Sequence, residues 1–192
     1  MFLICWAVPC QLLNGFKQMK GAIFFDRDNT LVIDNGYTWK ISDFAFLSDS
    51  AEALALLNAH HIPVFIVTNQ SGIARGYFSE TEMHKFNQHL IEQVDLKGGR
   101  ITDIAFCPHH PDYPKKDAPK HCDCRKPSSG MLQKLSHKWQ IDLKKSVMIG
   151  DQQTDIQAGI KAGCRESFLL EPNRSRVELC NIIIADYFRD GV

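Results

Sequence analysis

The chain carries no excess of charge of either sign, 22 lysines and arginines being matched by 22 aspartates and glutamates across 192 residues. That balance removes the electrostatic reason to expect nucleic acid or an anionic membrane as a partner. No Walker-type glycine loop is present, which disfavours the use of a nucleoside triphosphate. Internal repeats, low-complexity stretches and a credible linker are all missing, so one domain with a full-sized core accounts for the length. Long apolar runs are missing too. Residues 1–18 start apolar, but no basic residue precedes the apolar run and it is too short to span a bilayer. We read them as an extension unrelated to the fold, with a signal-like or interfacial segment as the alternative, and expect no membrane span elsewhere. The seven cysteines are an odd number, and three of them crowd into Cys107 to Cys124 with histidines between. That pattern suits a metal site better than a disulfide framework, and implies a reducing, cytoplasmic setting.

What is present is organised around Ile23-Phe24-Phe25-Asp26-Arg27-Asp28-Asn29-Thr30. A short apolar run, read as a buried strand over 21–25, ends in two carboxylates one residue apart. In open α/β sheets ligands sit just outside the carboxyl ends of strands, where Asp26 would emerge, and strand alternation turns Asp26 and Asp28 to one side. Two such acids can bind Mg²⁺, one attacking phosphorus while the other moves the leaving-group proton. The bland alternative is a polar turn after a strand.

The remaining chain repeats this plan. After a long loop through Asp34-Asn35-Gly36-Tyr37 comes a helix over 48–60, with Asp49 and Glu52 at capping-box spacing and Ala51, Leu54 and Leu57 on one stripe. A strand over 63–67 stops at Thr68-Asn69-Gln70-Ser71-Gly72. The spacing predicts a helix over 79–95, opened by Ser79-x-x-Glu82, with Met83, Phe86, Leu90 and Val94 as core and His84 and His89 solvated. Further strands are expected over 101–106, 146–149 and 167–170, with helices over 127–139 and 153–162. Residues after Glu171 suggest no element; we divide the chain into an extension (1–18), a single domain (19–175) with a metal loop (107–124), and a tail (176–192).

Alternating strands and helices argue an α/β fold, a Rossmann-like parallel sheet with helices on both faces. The polar ends of its strands then gather along one rim: Asp26 and Asp28, Thr68 and Asn69, Arg125 and Lys126, Asp151 and Asp155. Acids for a metal, donors for equatorial oxygens and a fixed cation are the set that phosphoryl transfer requires. Separately, Cys107-x-His109 and Cys122-x-Cys124 supply three thiolates and an imidazole for a closed, structural tetrahedral zinc site. An unrelated cysteine cluster is the alternative. His110 and His121 are adjacent spares, and Cys164 and Cys180 read as plain buried thiols.

With Asp26-Arg27-Asp28, Thr68-Asn69-Gln70-Ser71-Gly72-Ile73-Ala74-Arg75-Gly76 and Cys107-Pro108-His109-His110 in this order, the chain resembles the haloacid dehalogenase superfamily of aspartate-nucleophile phosphatases from about Lys20 to Leu170. It is most similar to the superfamily's zinc-bearing members without a large cap domain, which include phosphatases of heptose bisphosphates and of histidinol phosphate. The resemblance implies a small phosphorylated sugar as substrate; we expect a monomer. It also implies that Asp26 is the nucleophile and Asp28 the general acid and base, with Mg²⁺ held by Asp26, Asp151 and the backbone carbonyl of Asp28. Thr68 and Lys126 would steady the phosphoryl group, and Arg125 would recognise the sugar or its second phosphate. Asp34, Asn35, Gly36, Tyr37, Asn69, Gln70 and Ser71 would line the substrate pocket, and Asp155 would stand behind the ligands. Asn29 replaces the usual glycine, and Gln152 stands where a lysine is frequent. A zinc-stabilised interaction module that keeps the old motif is the non-enzymatic alternative.

Overall fold

The structure is a computed structural model that describes residues 20–114 and 122–188. The expectations for residues 1–18 and for His121 lie outside them.

Five strands form a wholly parallel sheet in the order β3-β2-β1-β4-β5: β1 (Ile23–Phe25), β2 (Val64–Asn69), β3 (Asp103–Cys107), β4 (Val147–Gly150) and β5 (Glu166–Leu169). The central strand is hydrogen-bonded on both edges, Ile23 pairing with Val64 on one side and Val147 on the other. Strand alternation explains the apolar run. Ile23 and Phe25 enter one core, with Leu54 and Leu57 of α1 (Ser50–Ala59), Phe86 and Leu90 of α3 (Glu80–Leu96), and Leu179 and Ile183 of α6 (Arg176–Tyr187). Ala22 and Phe24 face the opposite core, with Met131, Leu132 and Leu135 of α4 (Gly130–Trp139) and Ala158 of α5 (Gln153–Ala162). A short α2 (Ser71–Ala74) follows β2. No helix among the described residues is long and apolar enough to cross a membrane.

The order of the strands positions the site. From β1 the chain moves outward through β2 to β3, then returns to place β4 against the other edge of β1. Adjacent connections therefore diverge between β1 and β4, leaving a crevice at their carboxyl ends. Asp26 and Asp151 stand at its two sides.

Two expectations are corrected. The tail from residue 176 is instead helix α6, whose Leu179, Cys180 and Ile183 are buried in the first core. Likewise, Asp49 makes no side-chain cap to α1. Its carboxylate accepts hydrogen bonds from the start of α6 instead: Ser175 Oγ at 2.5 Å, Arg176 N at 3.1 Å and Val177 N at 3.0 Å. Partial burial pushes the Asp49 carboxyl up, but these donors outweigh it and hold it below the ordinary aspartate range. Asp49→Ala strips the first turn of α6 of its acceptor and should lower stability by roughly 2 kcal/mol. A denaturant midpoint unchanged by the substitution would contradict this cap.

Candidate active site and metal centre

Asp26 is the first residue beyond β1, and its N–H donates to the Ile149 carbonyl of β4 at 2.9 Å, so the sheet ladder itself fixes where the carboxylate emerges. Beyond it the chain leaves the strand. Asn29 turns the backbone at φ 55°, a left-handed conformation that asparagine tolerates, and its Oδ1 accepts from Asp34 N at 3.1 Å. The turn survives without glycine.

Lys126 is 3% exposed, and its Nζ lies 2.5 Å from Asp26 Oδ1 and 2.6 Å from Asp155 Oδ1 while donating to the Val67 carbonyl at 2.8 Å. Its backbone is clamped by the Asn69 amide, which accepts from Lys126 N at 3.0 Å and donates to Lys126 O at 3.1 Å. Asp26, Asp151 and Asp155 each offer an oxygen within 4.8 Å of the others. Asp155 thus stands beside the two expected ligands, touching Lys126 directly. Gly150 makes room for it, since a Cβ there would come within 2.3 Å of Asp155 Oδ2. The Asp155 carboxylate also caps α5, accepting from Gln152 N at 3.0 Å, while the Gln152 amide donates to Asp151 Oδ2 at 2.9 Å.

Three carboxylates against one ammonium leave a net negative site. Burial pushes the Asp26 carboxyl up to about 7, opposed by Lys126 and reinforced by Asp155 and Asp28. Asp151 is likewise raised, chiefly by burial. For Lys126 burial favours the neutral amine, but the carboxylates of Asp26 and Asp155 outweigh it and keep the ammonium charged. An oxygen-rich cluster with one cation too few is the donor set that a hard divalent ion fits.

Asp28 lines the same cavity of about 160 Å³ as Asp26, Asn29, Thr68, Asn69, Lys126, Asp151, Gln152, Thr154 and Asp155. Its carboxylate, however, is turned towards other partners. Arg27, 1% exposed, grips it with Nε at 2.9 Å and Nη2 at 3.1 Å, while Gln70 Nε2 donates at 2.7 Å and Thr68 Oγ1 at 3.4 Å. Arg27 is held in turn by Asn87 Oδ1 at 2.8 Å and lies 4.8 Å over the Phe86 ring. Nothing in the motif marked Arg27 as more than a spacer between two acids, because Asn87 and Phe86, the residues that hold it against Asp28, lie on α3 far along the chain.

Asp34, Asn35, Gly36, Tyr37, Gln70, Ser71 and Arg125 do not line that cavity. Asp34 Oδ1 accepts from Thr38 N at 2.6 Å, closing a tight loop with Asn35, Gly36 and Tyr37 exposed at its tip. Arg125 Nη1 donates to the His109 carbonyl at 3.0 Å. A larger groove of about 420 Å³, lined by Ile62, Phe65, Trp139 and others, opens at the opposite end of the sheet, where no strand end delivers a carboxylate cluster.

The cysteine loop converges as expected. Cys107 Sγ lies 3.4 Å from Cys122 Sγ and 2.9 Å from Cys124 Sγ, and His109 Nδ1 is 3.1 Å from Cys122 Sγ and 3.4 Å from Cys124 Sγ. All three cysteines are free thiols. Burial pushes Cys107 up to about 11 and raises Cys124; it acts upward on Cys122 too, but there hydrogen bonds from both neighbouring thiols and His109 outweigh it and bring the thiol down to about 7. Three cysteine sulfurs and an imidazole nitrogen are a set that a thiophilic metal ion fits, and the four side chains can hold one. His110 is not in the cluster; its Nε2 lies 3.3 Å from Arg75 Nη2.

Comparison with known proteins agrees with this geometry. Residues 123–183 match a family model described as HAD-hydrolase-like. The chain is 41% identical over 160 residues to the D-glycero-beta-D-manno-heptose-1,7-bisphosphate 7-phosphatase of Pasteurella multocida, covering 83% of this chain and 86% of that protein. It is also 41% identical over 179 residues to the enzyme of the same name from Haemophilus influenzae, covering 91% and 94%. The crystal structure of D,D-heptose 1,7-bisphosphate phosphatase from B. bronchiseptica, complexed with magnesium and phosphate, superposes with a TM-score of 0.73 at 27% identity, covering 86% of this chain and 99% of that one.

Proposed function

The chain belongs to the haloacid dehalogenase-like phosphatases, and from that premise we propose that it removes the 7-phosphate of D-glycero-D-manno-heptose 1,7-bisphosphate in a reducing, cytoplasmic compartment. The observation that carries the chemistry is the meeting of Asp26, Asp151 and Asp155 around the Lys126 ammonium at the crevice between β1 and β4. Asp26 is the nucleophile. Its carboxylate oxygen bonds to phosphorus as the sugar oxygen departs, giving an aspartyl-phosphate that water then hydrolyses, regenerating the carboxylate and releasing phosphate. Asp28, fixed by Arg27 and Gln70, gives a proton to the departing sugar oxygen and afterwards takes one from the attacking water. Thr68 and Lys126 hold the transferring oxygens.

Mg²⁺ would be held by Asp26, Asp151 and the backbone of Asp28, where it supplies positive charge against the phosphoryl oxygens. A zinc ion would be held by Cys107, His109, Cys122 and Cys124; with no open position it serves the loop that delivers Arg125 and Lys126.

Phosphate release tests the reading. With Mg²⁺ present, the heptose bisphosphate should turn over with a kcat/KM at least about a hundredfold above that for histidinol phosphate. Chelation of Mg²⁺ should abolish both activities. Equal turnover of the two substrates would remove the claim to the sugar, and turnover of neither would remove the phosphatase itself.

A further inference from the structure

Thr30 is fully buried in the turn that leaves β1. The turn closes on itself: the Arg27 carbonyl accepts from Leu31 N at 2.9 Å and Val32 N at 3.1 Å, and Asn29 N donates to the Val32 carbonyl at 2.8 Å. The Thr30 carbonyl takes no part in these bonds. It is met from 146 residues further along the chain, where Arg176 Nε donates to it at 2.7 Å. The hydroxyl of the same threonine lies 3.5 Å from Asp151 Oδ1. One guanidinium therefore reaches, through one residue, both sides of the crevice between β1 and β4.

Nothing local asks for a cation at this position. Arg176 is the first residue of α6, the end of a helix at which unpaired N–H groups make positive charge unfavourable. Its exposure of only 2% adds the cost of taking a guanidinium out of water. The helix is secured without the side chain. Ser175 Oγ caps it by accepting from Glu178 N at 3.1 Å, and Asp49 takes the backbone N–H of Arg176, a bond that any residue but proline could make. Leu179, Cys180 and Ile183 seat its buried face. The guanidinium itself is only partly compensated: Asp49 Oδ1 stands 3.8 Å from Nη1, and the Arg174 carbonyl accepts from Nη1 at 3.4 Å. Its bond to Thr30 is the shortest of the three. A charge held against both local preference and solvation, with its best bond to a turn of the catalytic rim, serves that turn rather than its own helix.

We propose that Arg176 is a positioning residue for the divalent metal ion: it holds the turn that carries the Asp28 carbonyl and, through the Thr30 hydroxyl, the carboxylate of Asp151. The ion falls to those groups together with Asp26 in the phosphatase reading, on which this inference rests. Arg176 need not touch the ion. A group one bond behind a metal ligand sets that ligand's direction, and its loss typically costs about ten- to a hundredfold in affinity.

The test titrates Mg²⁺ calorimetrically into the chelator-stripped, full-length protein, and follows phosphate release from the heptose bisphosphate against Mg²⁺ concentration. In Arg176→Met the Kd for Mg²⁺ should rise at least about tenfold, while kcat at saturating Mg²⁺ stays within about threefold. Arg176→Lys, whose ammonium can still donate to a carbonyl, should recover part of the affinity. Ile183→Val thins the packing of the same helix without touching Thr30 and should leave the Kd within about twofold, which separates positioning from lost stability. Thr30→Val replaces only the hydroxyl by a methyl group and leaves α6 in place. It covers the case in which Arg176→Met fails to fold, and should raise the Kd at least about threefold. An unchanged Kd in folded Arg176→Met or in Thr30→Val, a like rise in Ile183→Val, a loss confined to kcat, or a parent that binds no Mg²⁺ would each overturn the role. The phosphatase reading fails separately, if the parent releases no phosphate with Mg²⁺ bound.

Discussion

Asp26→Asn lowers phosphate release by about 10⁴-fold or more, because the amide cannot form the phosphoenzyme and no other carboxylate occupies its position at the end of β1. The fold should survive, since the substitution conserves volume. Metal-free, the variant should also lose a pH dependence that the parent possesses. With the Asp26 carboxyl raised to about 7 from an ordinary 3.8, the folded parent keeps a proton that the unfolded chain has already released between those values. The resulting stability is fully present below pH 3.8 and disappears as pH rises through 7. The metal-free parent should therefore melt at a lower temperature at pH 8 than at pH 5, and Asp26→Asn should flatten that difference. Thermal melts in chelator at the two pH values, beside single-turnover assays, check both halves. A variant retaining turnover within tenfold of the parent would falsify the assignment of the nucleophile.

The second large effect concerns the cysteine cluster. Cys124→Ser should cost bound zinc and lower the melting temperature by about 10 °C, equivalent to several kcal/mol in a domain of this size. Activity should decline less than stability. Lys126 sits two residues beyond Cys124, but the Asn69 amide grips its backbone by two hydrogen bonds and the ammonium is held by Asp26 and Asp155. We therefore expect a loss of about ten- to a hundredfold rather than abolition. Metal content by mass spectrometry, melting temperature and kcat measured on one preparation decide this. A zinc-free variant with the parent's melting point would show the loop to be held by other means.

Much of the architecture was legible because the period of the apolar residues records how many faces an element buries. The continuous run at Ile23 to Phe25 marks a strand covered on both sides, and the stripe Met83, Phe86, Leu90 and Val94 marks a helix covered on one; all seven are buried. Local patterns were less dependable at helix starts. Ser79-x-x-Glu82 forms the capping box that its spacing suggests, yet Asp49 with Glu52 does not, because Ser175 and two backbone amides 126 to 128 residues further along compete for the same carboxylate. Helix α6 was missed although its start contains a comparable signal: Ser175 Oγ accepts from Glu178 N at 3.1 Å. Its apolar residues lie on more than one side, Ile183 buried and Ile182 exposed, so no stripe announces it.

At the site, residue types identified the chemistry but spacing did not identify the neighbours. The rim residues Asp26, Thr68, Lys126 and Asp151 converge because parallel strands finish at one edge. The positions of Asp155 beside Lys126 and of Arg27 against Asp28 depend on the turn opening α5 and on the docking of α3. Neither contact has a local signature.

Arg176, 2% exposed, reaches from α6 to donate its Nε to the Thr30 carbonyl at 2.7 Å, while Thr30 Oγ1 lies 3.5 Å from Asp151 Oδ1. During synthesis, therefore, Thr30 in the turn beyond Asp26 emerges 146 residues ahead of the arginine that holds its carbonyl. The turn that follows β1 is thus synthesised early but gains this brace only when α6 docks, so the amino-terminal and carboxyl-terminal parts of the domain must meet before the rim is complete.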